Sequence, residues 1–137
     1  MSEQTALIDV PPPLNEEAAP GEPAVALAKA IDAAPGVVLR GAMGYEGHVM
    51  GFADRAEREE KTHKAMDRLL RSVQAIRDAG LRCEIVSGGG TCTFDITGAI
   101  EGITEVQAGT YVLMDSYYMY PDLPFELAFS VLGTVLS

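Results

Sequence analysis

Leu81-Arg82-Cys83-Glu84-Ile85-Val86-Ser87-Gly88-Gly89-Gly90-Thr91 joins a strand-like segment, 81–86, directly to three consecutive glycines flanked by hydroxyls. A backbone without β-carbons lets its N–H groups converge on an anion, and Ser87 and Thr91 add donors. The run therefore reads as a candidate phosphate cradle. It lacks the Lys-Ser/Thr of a P-loop and the spacing and helix start of a dinucleotide fingerprint. A glycine-rich turn after a strand is more often only a loop, so its neighbours decide its meaning.

On the N-terminal side lies the strongest helix signal of the chain, Asp54 to Ala79. Met66, Leu69, Leu70, Val73 and Ile76 repeat at helical spacing, and Gly80 supplies the stop. Before it, Gly36 to Gly44 is a short apolar run bounded by glycine, which predicts a buried strand. A helix opens at Glu22-Pro23 and ends at Pro35-Gly36. Within the acidic, proline-rich residues 1–21, only Ala6 to Val10 has the composition of a strand; the rest reads as a flexible leader. After the glycine run, Ile103 to Gln107 and Thr110 to Asp115 read as one interrupted strand or two. A Tyr-rich loop, Tyr117 to Pro124, precedes a further strand from Phe125 to Leu136.

This order, with near-continuous apolar strands separated by helices, predicts parallel β/α units. A closed (β/α)₈ barrel needs about 250 residues. The 137 residues therefore predict an α/β fold comprising part of a TIM-type barrel, residues 22–124. Residues 125–137 would begin a C-terminal β-domain.

Composition narrows the function classes. The net charge is −10, with 20 acidic against 10 basic residues, which disfavours a phosphate-backbone partner and so nucleic acid. Glu3, Asp9, Glu16, Glu17 and Glu22 all lie in the first 22 residues, so much of that charge belongs to the leader and need not describe the folded surface. Cys83 and Cys92 match neither a disulfide framework nor a common zinc spacing. No stretch has the length and apolarity of a membrane span and no signal peptide is evident, so the expected compartment is the cytoplasm.

Three polar clusters fall at the expected C-terminal ends of strands: Tyr45-Glu46-Gly47-His48, Ser87 to Thr91, and Gln107-Ala108-Gly109-Thr110. In parallel α/β folds ligands bind outside those ends. For the residues alone, a structural histidine remains the commoner reading of His48, and a boundary aromatic an equally common reading of Tyr45. The segments Gly44-Tyr45-Glu46-Gly47-His48, Ser87-Gly88-Gly89-Gly90-Thr91 and Glu105 to Asp115, in this order and spacing, resemble the D-threonine aldolase and D-serine dehydratase family. Its members are pyridoxal-phosphate enzymes with an alanine racemase-type N-terminal barrel.

The resemblance implies that Ser87, Gly88, Gly89, Gly90, Thr91, Gly109 and Thr110 bind the cofactor phosphate, and that Tyr45, His48 and Gln107 surround the pyridine ring. It implies a small D-amino acid as substrate and cleavage of D-β-hydroxy-amino acids to glycine and an aldehyde. The alternatives are a D-serine dehydratase-type elimination and an inactive relative or complementing subunit. Homo-oligomerisation is also expected. Three departures accompany the resemblance. The family's cofactor-bearing lysine sits at a strand end, whereas Lys61-Thr62-His63-Lys64 falls within the long helix. An arginine near the cofactor is replaced by the segment beginning Asp9-Val10-Pro11, and Cys92 replaces a glycine, straining the loop if that position needs positive φ. The family's divalent metal belongs to a C-terminal β-domain, so no metal site is expected here.

Overall fold

The computed structural model describes residues 4–10, 21–118 and 122–135. Four parallel strands form one sheet in sequential order: β1 (Gln4–Asp9), β2 (Val37–Gly44), β3 (Ile85–Gly88) and β4 (Glu105–Val106). Between them run α1 (Glu22–Asp32), α2 (Arg55–Asp78) and the short α3 (Phe94–Gly98). Parallel strands each adjacent to the next, with helices in the connections, form an arc of a β/α barrel.

The helices form where the sequence supplies caps and a face. α1 has Pro23 in its first turn, and α2 starts at Asp54, whose carboxylate accepts the Glu57 N–H at 2.9 Å. Buried positions on α2 run Arg58, Thr62, Met66, Leu69, Val73 and Ile76, one continuous helical stripe. Its apolar part, Met66, Leu69, Val73 and Ile76, packs with Ala24 and Ala28 of α1 against Ile8, Leu39, Ala42 and Val86 of the sheet. The main core is therefore a layer between the helices and one sheet face.

Several sequence expectations change. The strand expected over 81–86 is displaced to Ile85–Gly88, so the first two residues of the Ser87–Thr91 run belong to the sheet. Gly88 pairs with Gly44, and a β-carbon on it would sit 3.0 Å from both the Gly44 carbonyl oxygen and Met66 Sδ. The ladder continues there because glycine permits that approach. Part of the expected leader joins the sheet as β1; residues 11–20 lie outside the described residues, as does Tyr120 of the Tyr-rich loop.

Thr110 to Asp115 is not a strand. Thr110–Val112 forms a short 3-10 turn, and Met114 takes a left-handed conformation at φ 57°. Nor do the described residues 125–135 contain a strand. Val131 and Leu132 are 82% and 98% exposed. Apolar, β-branched composition makes a strand only where a neighbour accepts its backbone hydrogen bonds. Here the segment is held by Phe125, whose ring lies 5.3 Å from Phe94 and 5.4 Å from Tyr111, and by an Ala128 N–H to Leu113 carbonyl bond of 3.0 Å.

Candidate functional site

The three polar clusters converge at the carboxyl ends of β2, β3 and β4. Tyr45 follows β2 with its ring against the glycine run; a β-carbon on Gly90 would meet its Cε2 at 3.1 Å. Its hydroxyl donates to Met50 Sδ at 2.7 Å. The Gln107 amide N–H reaches the Gly88 carbonyl at 2.9 Å, which aligns the 107–110 segment beside the loop. The Gln107 side-chain amide approaches Met43 Sδ at 4.0 Å. Gly109 and Thr110 are exposed, as is His48 on the 3-10 turn Gly47–Gly51.

The interior of the glycine run holds a residue the sequence reasoning did not select. Glu46 is 1% exposed. Its carboxylate accepts the Gly89 N–H at 3.2 Å, the Thr97 hydroxyl at 3.3 Å and a very short hydrogen bond from the Thr93 hydroxyl. Thr93 in turn accepts the Gly90 N–H at 3.0 Å. Gly89 turns at φ 76°, where side chains are rarely tolerated, and so aims its N–H inward. A carboxylate buried with this many hydrogen-bond donors is satisfied without leaving the protein.

The flanking hydroxyls are similarly engaged. Ser87 donates to Glu105 at 2.7 Å across the β3–β4 pair, and Thr91 accepts the Tyr111 N–H at 3.0 Å. Ser87 to Thr91 is buried throughout. As a cradle for a cofactor phosphate, the glycine run does not fit. The Gly89 amide it would offer already meets an anion, Glu46, and a phosphate beside that carboxylate would add like charge in a buried place. Tyr45, Gln107, Gly109 and Thr110 remain as the exposed rim.

Arg58, also absent from the sequence-derived site, fixes the far end of this loop. Its side chain is fully buried on α2. Nε donates to the Cys92 carbonyl at 3.0 Å, and one terminal nitrogen donates to the carbonyls of Phe52 and Ala53 at 2.9 and 3.2 Å. The other pairs with Asp122. Arg55 bridges Asp95 at 2.7 Å and Asp122 at 3.1 Å. Two arginines one helical turn apart thus tie the glycine loop, α3 and the chain near residue 122 to the start of α2.

Cys92 does not strain this arrangement, because among the described non-glycine residues only Met114 has positive φ. The Cys92 side chain packs with Met114 and Leu123. Burial pushes its thiol pKa up, opposed by the charge on Arg58, and Cys83 is shifted the same way by burial. Both thiols are therefore protonated at neutral pH.

None of the three lysines of the chain is at a strand end. Lys29 lies on α1, and Lys61 and Lys64 lie on α2. Lys61 pairs with Glu57 at 3.6 Å and its Nζ lies 4.5 Å from the centre of the Phe52 ring, while Lys64 is exposed. No helix among the described residues is long and apolar enough to cross a membrane.

Comparison with known proteins agrees with this architecture. The family profile described as the alanine racemase N-terminal domain matches residues 18–117. The chain is 35% identical over 117 residues to a D-threonine aldolase of an Arthrobacter species, covering 82% of this chain and 31% of that enzyme. It is 38% identical over 70 residues to a D-threo-3-hydroxyaspartate dehydratase of Delftia sp. (strain HT23), covering 50% of this chain and 18% of that protein. The crystal structure of D-threonine aldolase from Filomicrobium marinum superposes with a TM-score of 0.80 at 32% identity, over 92% of this chain and 36% of that one. The chain thus spans about a third or less of the length of these relatives. Sequential parallel strands, the clusters at their carboxyl ends and these matches together place the chain in the alanine racemase N-terminal domain family, on its D-threonine aldolase-like branch.

Proposed function

We propose that this chain is a section of the barrel of a pyridoxal-phosphate-dependent lyase of the D-threonine aldolase type, which cleaves D-β-hydroxy-amino acids to glycine and an aldehyde. The observation that carries this reading is the placement of Tyr45, Gln107, Gly109 and Thr110 at the carboxyl ends of β2 and β4 in one parallel sheet, in a chain 35% identical to such an aldolase. These residues would line one side of a small-molecule site. The identity to a dehydratase keeps β-elimination as the alternative reaction.

A second reading is favoured by one observation, the placement of all three lysines on helices. On it, the isolated chain is an inactive relative or a subunit that needs a complementing partner. Incubation with pyridoxal phosphate and D-threonine separates the readings. The isolated chain is expected to bind the cofactor reversibly, to give no borohydride-stable adduct on a lysine, and to release neither acetaldehyde nor 2-oxobutyrate. Acetaldehyde with glycine would identify an active aldolase; 2-oxobutyrate with ammonia would identify a dehydratase. Absence of any cofactor binding would remove the lyase reading for this chain.

Exposed Val112, Leu113, Val131 and Leu132 leave apolar surface in water, which favours association with another protein surface. We expect sedimentation velocity to show self-association that increases with concentration. A sharp monomer boundary at every concentration would exclude it.

A further inference from the structure

We propose that Glu46 is a positioning residue that holds the Gly88–Thr93 loop from inside, and that the glycine run is a scaffold for the site's rim rather than its anion cradle. This rests on the barrel-section reading only in taking the strand ends as the site. Gly89 N–H, the Thr93 hydroxyl and the Thr97 hydroxyl all converge on one carboxylate that is 1% exposed. Thr93 is the N-cap of α3 and Thr97 lies one helical turn further on, so they present their hydroxyls to the same place.

The consequence reaches the surface through two residues. Glu46 is the chain neighbour of Tyr45, whose ring rests against Gly90, and the loop it fixes contains Thr91, which holds the Tyr111 N–H at 3.0 Å. A carboxylate, with two acceptor oxygens and no donor, satisfies all three as they stand. Glutamine in place of Glu46 would turn an NH₂ toward either the Gly89 N–H or a threonine hydroxyl. Three donations to one carboxylate offset the cost of burying it.

The test uses amide NMR on the whole chain, with inorganic phosphate and then pyridoxal phosphate as probes. The Gly89 and Gly90 amide resonances are expected to stay fixed as either probe is added. In Glu46→Gln they are expected to shift, and protection of the Gly89 amide against exchange to fall about tenfold or more, as the loss of a charged hydrogen bond implies. Saturable shifts of Gly89 and Gly90 with phosphate in the unmodified chain, together with unchanged resonances in Glu46→Gln, would overturn the proposal.

Should Glu46→Gln fold poorly, a double-mutant cycle pairing Glu46→Asp with Thr97→Val gives the second measurement. Coupling between the two in urea midpoint supports the shared carboxylate, and strict additivity refutes it. A chain that binds no pyridoxal phosphate yet shows the Glu46-dependent shifts would remove the lyase reading and uphold this one.

Discussion

Replacing Arg58 by alanine is expected to lower stability by about 3–5 kcal/mol, the range for removing one member of a buried charged network. The guanidinium is fully buried and satisfies the carbonyls of Phe52, Ala53 and Cys92 besides Asp122. Each carbonyl left without a donor carries a desolvation penalty of about 1–3 kcal/mol. Asp122 contributes less to the loss, because it is 28% exposed and keeps Arg55 at 3.1 Å. Arg58→Met fills most of the volume without the donors, so it is expected to lose nearly as much as alanine; Arg58→Lys, with one ammonium for several separated acceptors, should fall between. Asp122→Asn should lose the least of the four. Urea unfolding monitored by circular dichroism gives the comparison, and an alanine variant within about 1 kcal/mol of the parent would show that the network does not hold the loop.

The layout of the sheet was legible because it follows from periodicity and punctuation. The α2 stripe and its Asp54 cap, the glycine-bounded β2 and the parallel order all depend on local patterns that tertiary packing reinforces. The location of the candidate site was legible for the same reason, since strand ends define it. The orientation of the glycine run was not. A glycine run shows that backbone is close to something, but not whether its N–H groups face outward to a ligand or inward to a side chain.

Two signals for the inward answer were present and went unused. Thr93 and Thr97 stand four residues apart directly after the glycines, a pair of hydroxyls in need of an acceptor, and Glu46 lies at the end of the adjacent strand. Arg58 falls in register with Thr62, Met66, Leu69, Val73 and Ile76, so the apolar face of α2 already predicted that it would be buried and require partners. The misread strand at 110–115 has a different cause. Its run of apolar residues is genuine, but Val112 and Leu113 are exposed and the Tyr111 N–H is taken by Thr91. Strand propensity reports fitness for a half-buried pleated surface, and no such surface covers these residues here.

Gly41→Ala is expected to abolish cooperative folding, a larger effect than its single added methyl would ordinarily have. β1 and β2 lose register at this point: Ala6 pairs with Leu39 but Leu7 pairs with Gly41, leaving Arg40 as the extra residue of a bulge. On the other side Gly41 pairs with Ile85. A β-carbon on Gly41 would lie 1.9 Å from the Ile85 carbonyl oxygen and 2.7 Å from its carbonyl carbon. Both atoms are backbone, so no rotamer change relieves the overlap, and β3 must move away from β2. That movement breaks the register from Gly41–Ile85 through Gly44–Gly88 and takes with it the glycine loop and the strand ends that form the site. Overpacking commonly costs about 1–3 kcal/mol where side chains can adjust; a backbone obstruction in a central strand should exceed that. Gly109→Ala is the matched control, since its φ is −129° and nothing lies within 4 Å of the added carbon. The control should melt with the parent, within about 0.5 kcal/mol, while Gly41→Ala should lose the sharp thermal transition and the dispersed amide spectrum. A Gly41→Ala protein that melts cooperatively near the parent would mean that β2 and β3 are not paired in this register.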